Sequence, residues 1–98
     1  MIAIIDYDAG NLKSVENALI YIRETPVVTR DHEVILQADK VILPGVGSFG
    51  EAMSKLEKYN LVPVIRQVVK NGKPFLGICL GMQLLFSKSE ESPDVDGL

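Results

Sequence analysis

A single cysteine stands among 98 residues, which rules out an internal disulfide and fits a reducing compartment. Long hydrophobic runs are absent too. The longest apolar stretch, Pro74 to Phe86, falls short of the roughly 20 residues that a membrane-spanning helix needs, and it includes Gln83. No basic-then-apolar leader precedes the first strand pattern, which opens at Ile2 and reaches Asp6. Neither sign of charge dominates: the net charge is −3 with acids and bases interspersed, which argues against a nucleic-acid or anionic-membrane surface. No repeat or low-complexity tract interrupts the chain. These absences predict a soluble, cytoplasmic protein of one small domain. A chain of this size buries only about 60–65% of its unfolded surface, so its core is modest.

Apolar runs and helical spacings alternate along the sequence. Ile2-Ala3-Ile4-Ile5-Asp6 is an apolar run closed by an acid, as expected of a buried parallel strand. Asn11 is placed to cap a helix whose face is Leu12, Val15, Leu19 and Ile22. Pro26 to Thr29 forms a second short strand, and Asp31 caps a brief helix carrying Val34, Ile35 and Leu36. Lys40 to Leu43 is a third strand, closed by Pro44-Gly45. Helical spacing returns with Ala52, Met53 and Leu56, then with Val64, Ile65, Val68 and Val69, until Asn71-Gly72 ends it as a left-handed cap. A fourth strand, short and expected to be buried, runs from Lys73 to Ile78. Four strand–helix alternations predict an α/β fold, a doubly wound, flavodoxin-like parallel sheet. Ser87 to Leu98 is a polar loop with no element after it to close the sheet. Residues 1–98 are therefore expected to be the amino-terminal part of a longer α/β domain, incomplete as given.

The fourth strand meets a helix at Gly77-Ile78-Cys79-Leu80-Gly81-Met82-Gln83. This is the sulfur version of a G-x-S-x-G nucleophile elbow. Glycines two residues either side of Cys79 let the backbone turn sharply without Cβ clashes, presenting the thiol at the carboxyl edge of the sheet. A helix starting at Leu80 would aim free N–H groups and its positive dipole end at the sulfur, which favours thiolate. A lone cysteine in an apolar segment otherwise packs as a small hydrophobe. The flanking glycines turn the balance toward covalent catalysis by Cys79.

Gly45-Val46-Gly47-Ser48-Phe49-Gly50 matches G-x-G-x-x-G, yet Arg66 to Lys73 offers no acid at the dinucleotide spacing, and the next strand ends in the elbow. The same glycines serve better as a loop of backbone amides. Loops after the third and fourth strands open at the same sheet edge, so Val46 and Gly47 can lie beside Cys79. An amide from that segment with the amide of Leu80 would make an oxyanion hole. A glycine-rich connection with no chemical task is the alternative. Asp6 and Asp8 are expected to serve as turn and capping residues rather than as a phosphoryl-transfer pair. His32, the single histidine, is expected to open a short helix in solvent rather than act as the base. Phe49, Met53 and Tyr59 are expected in or near the core. Gln83 lies one helical turn after Cys79 and can face the same pocket, and Glu90-Glu91 could hold a substrate ammonium. No metal or cofactor is called for.

Phe75-Leu76-Gly77-Ile78-Cys79-Leu80-Gly81-Met82-Gln83-Leu84-Leu85-Phe86 resembles the elbow of class I, triad-type glutamine amidotransferases. Leu43 to Gly50, Ile5 to Val15 and Ser89-Glu90-Glu91 are similar to one branch, the glutaminase subunits of imidazole glycerol phosphate synthase in histidine biosynthesis. The resemblance covers essentially the whole chain. It implies that Cys79 attacks the side-chain amide of glutamine, giving a thioester and ammonia, and that water then yields glutamate. It implies that Val46, Gly47 and Leu80 line the oxyanion site, that Gln83 and Glu91 hold the glutamine, and that Asn11 faces a partner cyclase subunit in a heterodimer. The family often has glycine where Asp8 stands. Its catalytic His and Glu lie in a carboxyl-terminal half that these 98 residues do not include, so the piece alone is expected to show no measurable glutaminase activity. Two other readings stay open: an elbow-cysteine thiol protein of the related α/β superfamily, and a non-catalytic flavodoxin-like binding module with a buried structural cysteine.

Overall fold

Strand β1 (Ile2–Ile5) is buried along its whole length, as a strand must be when helices cover both faces of its sheet. The structure, a computed structural model, describes residues 1–8, 12–45, 47–85 and 97–98. After β1 come α1 (Lys13–Tyr21), β2 (Pro26–Thr29), α2 (His32–Gln37) and β3 (Lys40–Leu43). Then follow α3 (Phe49–Lys58), α4 (Leu61–Lys70), β4 (Phe75–Gly77) and α5 (Leu80–Gln83). The strands form one parallel sheet in the order β2-β1-β3-β4, with Ile4 level with Val28 and Ile42, and Ile42 level with Leu76. The doubly wound, flavodoxin-like expectation is borne out.

Period-two alternation sends successive β1 residues to opposite layers. Ala3, Ile5 and Tyr7 join Val41 and Leu43 in the larger core, under Ile35, Phe49, Leu56, Leu61, Ile65 and Val68 from α2, α3 and α4. Ile2, Ile4 and Ile42 face the other way, where Leu12, Val15 and Leu19 cover them. Caps fix where the helices begin. The Asp31 carboxylate accepts the Glu33 and Val34 amides at 2.9 and 3.4 Å, and Ser48 Oγ accepts the Glu51 amide at 3.3 Å. Each such cap contributes about 1 kcal/mol. Asn71 ends α4 and Gly72 follows at φ +75°, the left-handed exit that the sequence predicts.

Several details differ from the expected pattern. The fourth strand is shorter than Lys73 to Ile78 and is not buried: β4 covers Phe75–Gly77 and Leu76 is exposed, because among the described residues β4 pairs with β3 alone. His32, expected in solvent, is half-buried at the start of α2, where its ring meets the Tyr59 carbonyl. Ile22 was expected on the buried face of the first helix, but α1 stops at Tyr21. The chain leaves through left-handed Arg23 (φ +65°), which turns Ile22 into solvent at 62% exposure. Val69 is likewise exposed, because α4 buries the stripe Leu61, Val64, Ile65 and Val68 and Val69 falls just beyond it. Asn11, expected as the first helix cap, lies outside the described residues. Among the described residues no helix is long and apolar enough to cross a membrane.

Helix α3 brings the fold to the site. It starts just after the β3 exit, and its far end reaches the carboxyl ends of β1 and β2. There Lys55 Nζ donates to the Asp8 carbonyl at 2.9 Å, and the Arg30 guanidinium lies 4.0 Å from the Tyr59 ring centroid. The helix thus lies across the carboxyl edge of the sheet, the edge at which parallel α/β folds assemble their sites.

Candidate active site

Cys79 carries the strain of the turn between β4 and α5. Its backbone sits at φ +54° and ψ −122°, a conformation that costs a non-glycine residue about 1–3 kcal/mol. Bonds on both sides hold it there. The Ile78 amide donates to the Leu43 carbonyl at 3.0 Å, the Gly81 amide to the Ile78 carbonyl at 2.9 Å, and the Met82 amide to the Cys79 carbonyl at 3.0 Å. Leu84, fully buried, anchors the helix end in the larger core. The thiol is a free, exposed cysteine.

The flanking glycines are required by space. A Cβ on Gly77 would stand 2.7 Å from Met82 Cα, and one on Gly81 would overlap the Leu43 carbonyl oxygen, with the Leu43 carbonyl carbon only 2.8 Å away. Helix α5 can therefore press directly on the end of β3, as the expected absence of Cβ clashes requires. Gly47 differs: it has φ +96° and open space around it, so its need for glycine is conformational.

The amides at the start of α5 are not free, contrary to expectation. Leu80 donates to the Gly45 carbonyl at 3.1 Å, and the next amides close the tight turn on Ile78 and Cys79. The reason is geometric. A turn this sharp makes short-range bonds of its own, and the loop after β3 packs close enough to take the remaining donor. Of the expected oxyanion set, Leu80 is buried against that loop, Gly47 is exposed within it, and Val46 lies outside the described residues. Gln83 is exposed one turn along α5 from Cys79. Glu91 and Asn11 also lie outside the described residues.

His32 stands at the start of α2, after β2, with Nε2 3.3 Å from the Tyr59 carbonyl. Three strand spacings separate β2 from β4, about 14 Å. His32 is thus on the opposite flank of the sheet from Cys79.

Two groups at this edge escaped sequence reasoning. Tyr7 is buried, its hydroxyl donates to the Pro44 carbonyl, and burial pushes its pKa up to about 12. Its place on the inner face was legible from the alternation Ala3, Ile5, Tyr7. The other group is an ion cluster. Arg30 pairs with Asp8 at 2.9 Å and Asp6 at 3.3 Å, and the Tyr59 hydroxyl donates to the Asp8 carboxylate. The Tyr59 hydroxyl first and Arg30 second hold the Asp8 carboxyl below its usual range. Asp8 itself is left-handed at φ +62°, a position any glycine would take without strain. Asp6 Oδ1 accepts the Asp8 amide at 3.3 Å, the turn role expected of it. The side-chain partners of Asp8, 22 and 51 positions away, leave no local pattern to read.

A cysteine held at positive φ between a parallel strand and a helix defines an α/β protein of the nucleophile-elbow class. The family described as "Glutamine amidotransferase class-I" matches residues 3–92, and the chain belongs to that family. Among curated relatives, the imidazole glycerol phosphate synthase subunit HisH of Bacillus thuringiensis (strain Al Hakam) is 58% identical over all 98 residues. The HisH subunits of Bacillus cereus (strain G9842) and Bacillus anthracis (strain CDC 684 / NRRL 3495) are 59% and 57% identical over the same span. That span is 47% of each of these relatives, so the chain covers about half their length.

Proposed function

We propose that the whole protein is the glutaminase subunit of an imidazole glycerol phosphate synthase. The observation that carries this reading is the strained cysteine elbow, on a chain 58% identical throughout to such a subunit. Cys79 Sγ attacks the side-chain carbonyl carbon of glutamine. The tetrahedral oxyanion collapses to a thioester as the nitrogen takes up a proton and leaves as ammonia, and water then attacks the thioester to give glutamate. The base that takes the thiol proton, and the carboxylate that orients it, come from the carboxyl-terminal half.

Amides of Val46, Gly47 and Leu80 stabilise the oxyanion, each lost donor costing about 10²–10³ in turnover. The Leu80 amide is engaged by the Gly45 carbonyl. That carbonyl must turn away before Leu80 can donate to substrate, so with this bond in place one donor is withheld. Gln83 and Glu91 hold the glutamine. Ammonia passes to a cyclase subunit, a (β/α)₈ barrel contacted near Asn11. There it reacts with a phosphoribulosyl-formimino carboxamide ribonucleotide, giving imidazole glycerol phosphate and an aminoimidazole carboxamide ribonucleotide.

The test uses the full-length protein with its cyclase. Glutamate and ammonia should form at equal rates, and Cys79→Ala should abolish both. A glutamine-analogue electrophile should modify Cys79 alone. The 98-residue chain by itself should show no turnover above that of the Cys79→Ala enzyme. Full glutaminase activity surviving in Cys79→Ala would sink the proposal, and labelling by general thiol reagents but not by the glutamine analogue would favour a thiol protein without a glutamine pocket.

A further inference from the structure

Two consecutive carbonyls in the loop after β3 are each held by a donor from a different segment. The Pro44 carbonyl accepts the hydroxyl of Tyr7, which rises from the end of β1 and is 1% exposed. The Gly45 carbonyl accepts the Leu80 amide from the elbow at 3.1 Å. The two anchors differ in kind. Tyr7 is locked in the larger core with Ala3, Ile5 and Phe49, so its hydroxyl cannot follow a moving loop. Its pKa of about 12 keeps it a proton donor at any working pH. Pro44 has its φ fixed by the ring, whereas Gly45 has the widest backbone freedom of any residue. The tyrosine hydroxyl also occupies the space that a Cβ on Gly45 would need.

We propose that Tyr7 is a positioning residue for the oxyanion loop: by pinning the Pro44 carbonyl, it confines the loop's rearrangement to the Gly45 carbonyl, the group that must release Leu80. The inference rests on the glutaminase reading above. Pro44 is the fixed end of a hinge and Gly45 the moving part. With the hydroxyl gone, Pro44 and Gly45 shift together, and the loop samples arrangements in which the oxyanion donors are misplaced. Oxyanion donors act on the transition state rather than on bound glutamine, so the loss falls on kcat.

The experiment is Tyr7→Phe in the full-length protein with its cyclase subunit. Competent sites are counted by titrating Cys79 with a glutamine-analogue electrophile. The expected result is a kcat per titrated site lower by about tenfold, with KM for glutamine within twofold of the wild type. An unchanged kcat per titrated site overturns the inference even if the melting temperature falls, because Tyr7 is then a core residue only. Should Tyr7→Phe not fold, 3-fluorotyrosine placed at position 7 keeps the volume and makes the hydroxyl a stronger donor. A kcat change of at least twofold at constant KM supports the hinge, and an unchanged kcat overturns it. The wild type separates the two layers: a wild-type protein that neither turns over glutamine nor is labelled removes the glutaminase reading and Tyr7's role with it, whereas an active wild type with an equally active Tyr7→Phe removes the hinge alone.

Discussion

Replacing Gly81 with alanine adds one methyl group where the structure has no room for it. The new Cβ would overlap the Leu43 carbonyl oxygen and stand 2.8 Å from its carbon and 3.2 Å from the Pro44 carbonyl carbon. These are backbone atoms, so no rotamer change can relieve the overlap. The same Leu43 oxygen accepts the Ile78 amide at 3.0 Å, and moving it opens the junction between β3 and the elbow. Overpacking of this kind costs about 1–3 kcal/mol or more, and the lost hydrogen bond adds about 1 kcal/mol. Alanine regains up to about 1 kcal/mol over glycine in a helix. The net expectation is a loss of about 3 kcal/mol. For a full-length protein of about twice this chain's length, that is a fall in Tm of roughly 6–12 °C. Calorimetry of the intact subunit gives the stability, and glutaminase assays of the folded fraction give the chemistry. Turnover should fall at least tenfold, because Cys79 moves with the junction. A Gly81→Ala protein melting within 2 °C of the wild type at full activity (about the smallest shift expected per kcal/mol) would refute close packing of α5 on β3.

Two titrations test the rest of the edge. The folded pKa of Tyr7 is raised to about 12 from an ordinary 10, so its contribution is present below pH 10 and is lost as pH climbs through the folded value. Denaturant melts should therefore lose about 2–3 kcal/mol between pH 10 and 12, a loss that Tyr7→Phe abolishes; an equal loss in the variant would place the alkaline transition elsewhere. Asp8 runs the other way, since a lowered folded pKa gives stability that is present above the ordinary carboxylate pKa and lost as pH falls through the folded value. Carboxyl NMR should find Asp8 titrating below the usual Asp range, with Tyr59→Phe raising it more than Arg30→Met; the reverse order would show that charge rather than the hydroxyl governs it.

Much of this architecture could be read from local pattern. Pro26 to Thr29 and Lys40 to Leu43 are strands with the expected bounds, and Asp31 and Leu80 stand at the helix starts where they were expected. Short apolar runs between turn residues have few other ways to fold in a sheet covered on both faces. What stayed hidden depends on contacts between distant segments. The orientation of the Gly45 carbonyl, and so the state of the Leu80 amide, is set where the loop after β3 meets the turn after β4. Spacing brings the two segments together but does not fix which way a peptide faces. The Asp8, Arg30 and Tyr59 cluster joins distant segments through their side chains: Asp8 reads locally as a turn residue and Tyr59 as a core-side aromatic, and nothing in either position announces the other or Arg30 until the fold brings them together.

The division of labour within the elbow follows from that distinction. Left-handed backbone is ordinarily assigned to glycine, yet the positive φ here belongs to Cys79, while Gly77 and Gly81 are glycines for lack of space. A glycine at position 79 would remove the strain and the thiol together, so under the proposed glutaminase reading the unfavourable conformation falls on the one residue whose identity the chemistry dictates. Its cost, about 1–3 kcal/mol, is offset by the interlocking bonds from Ile78, Gly81 and Met82 and by the burial of Leu84. Those contacts exist only because α5 can approach β3 without a Cβ at position 81. Replacing Gly81 therefore attacks the support of the strained cysteine rather than the cysteine itself, which is why stability and turnover are expected to fall together.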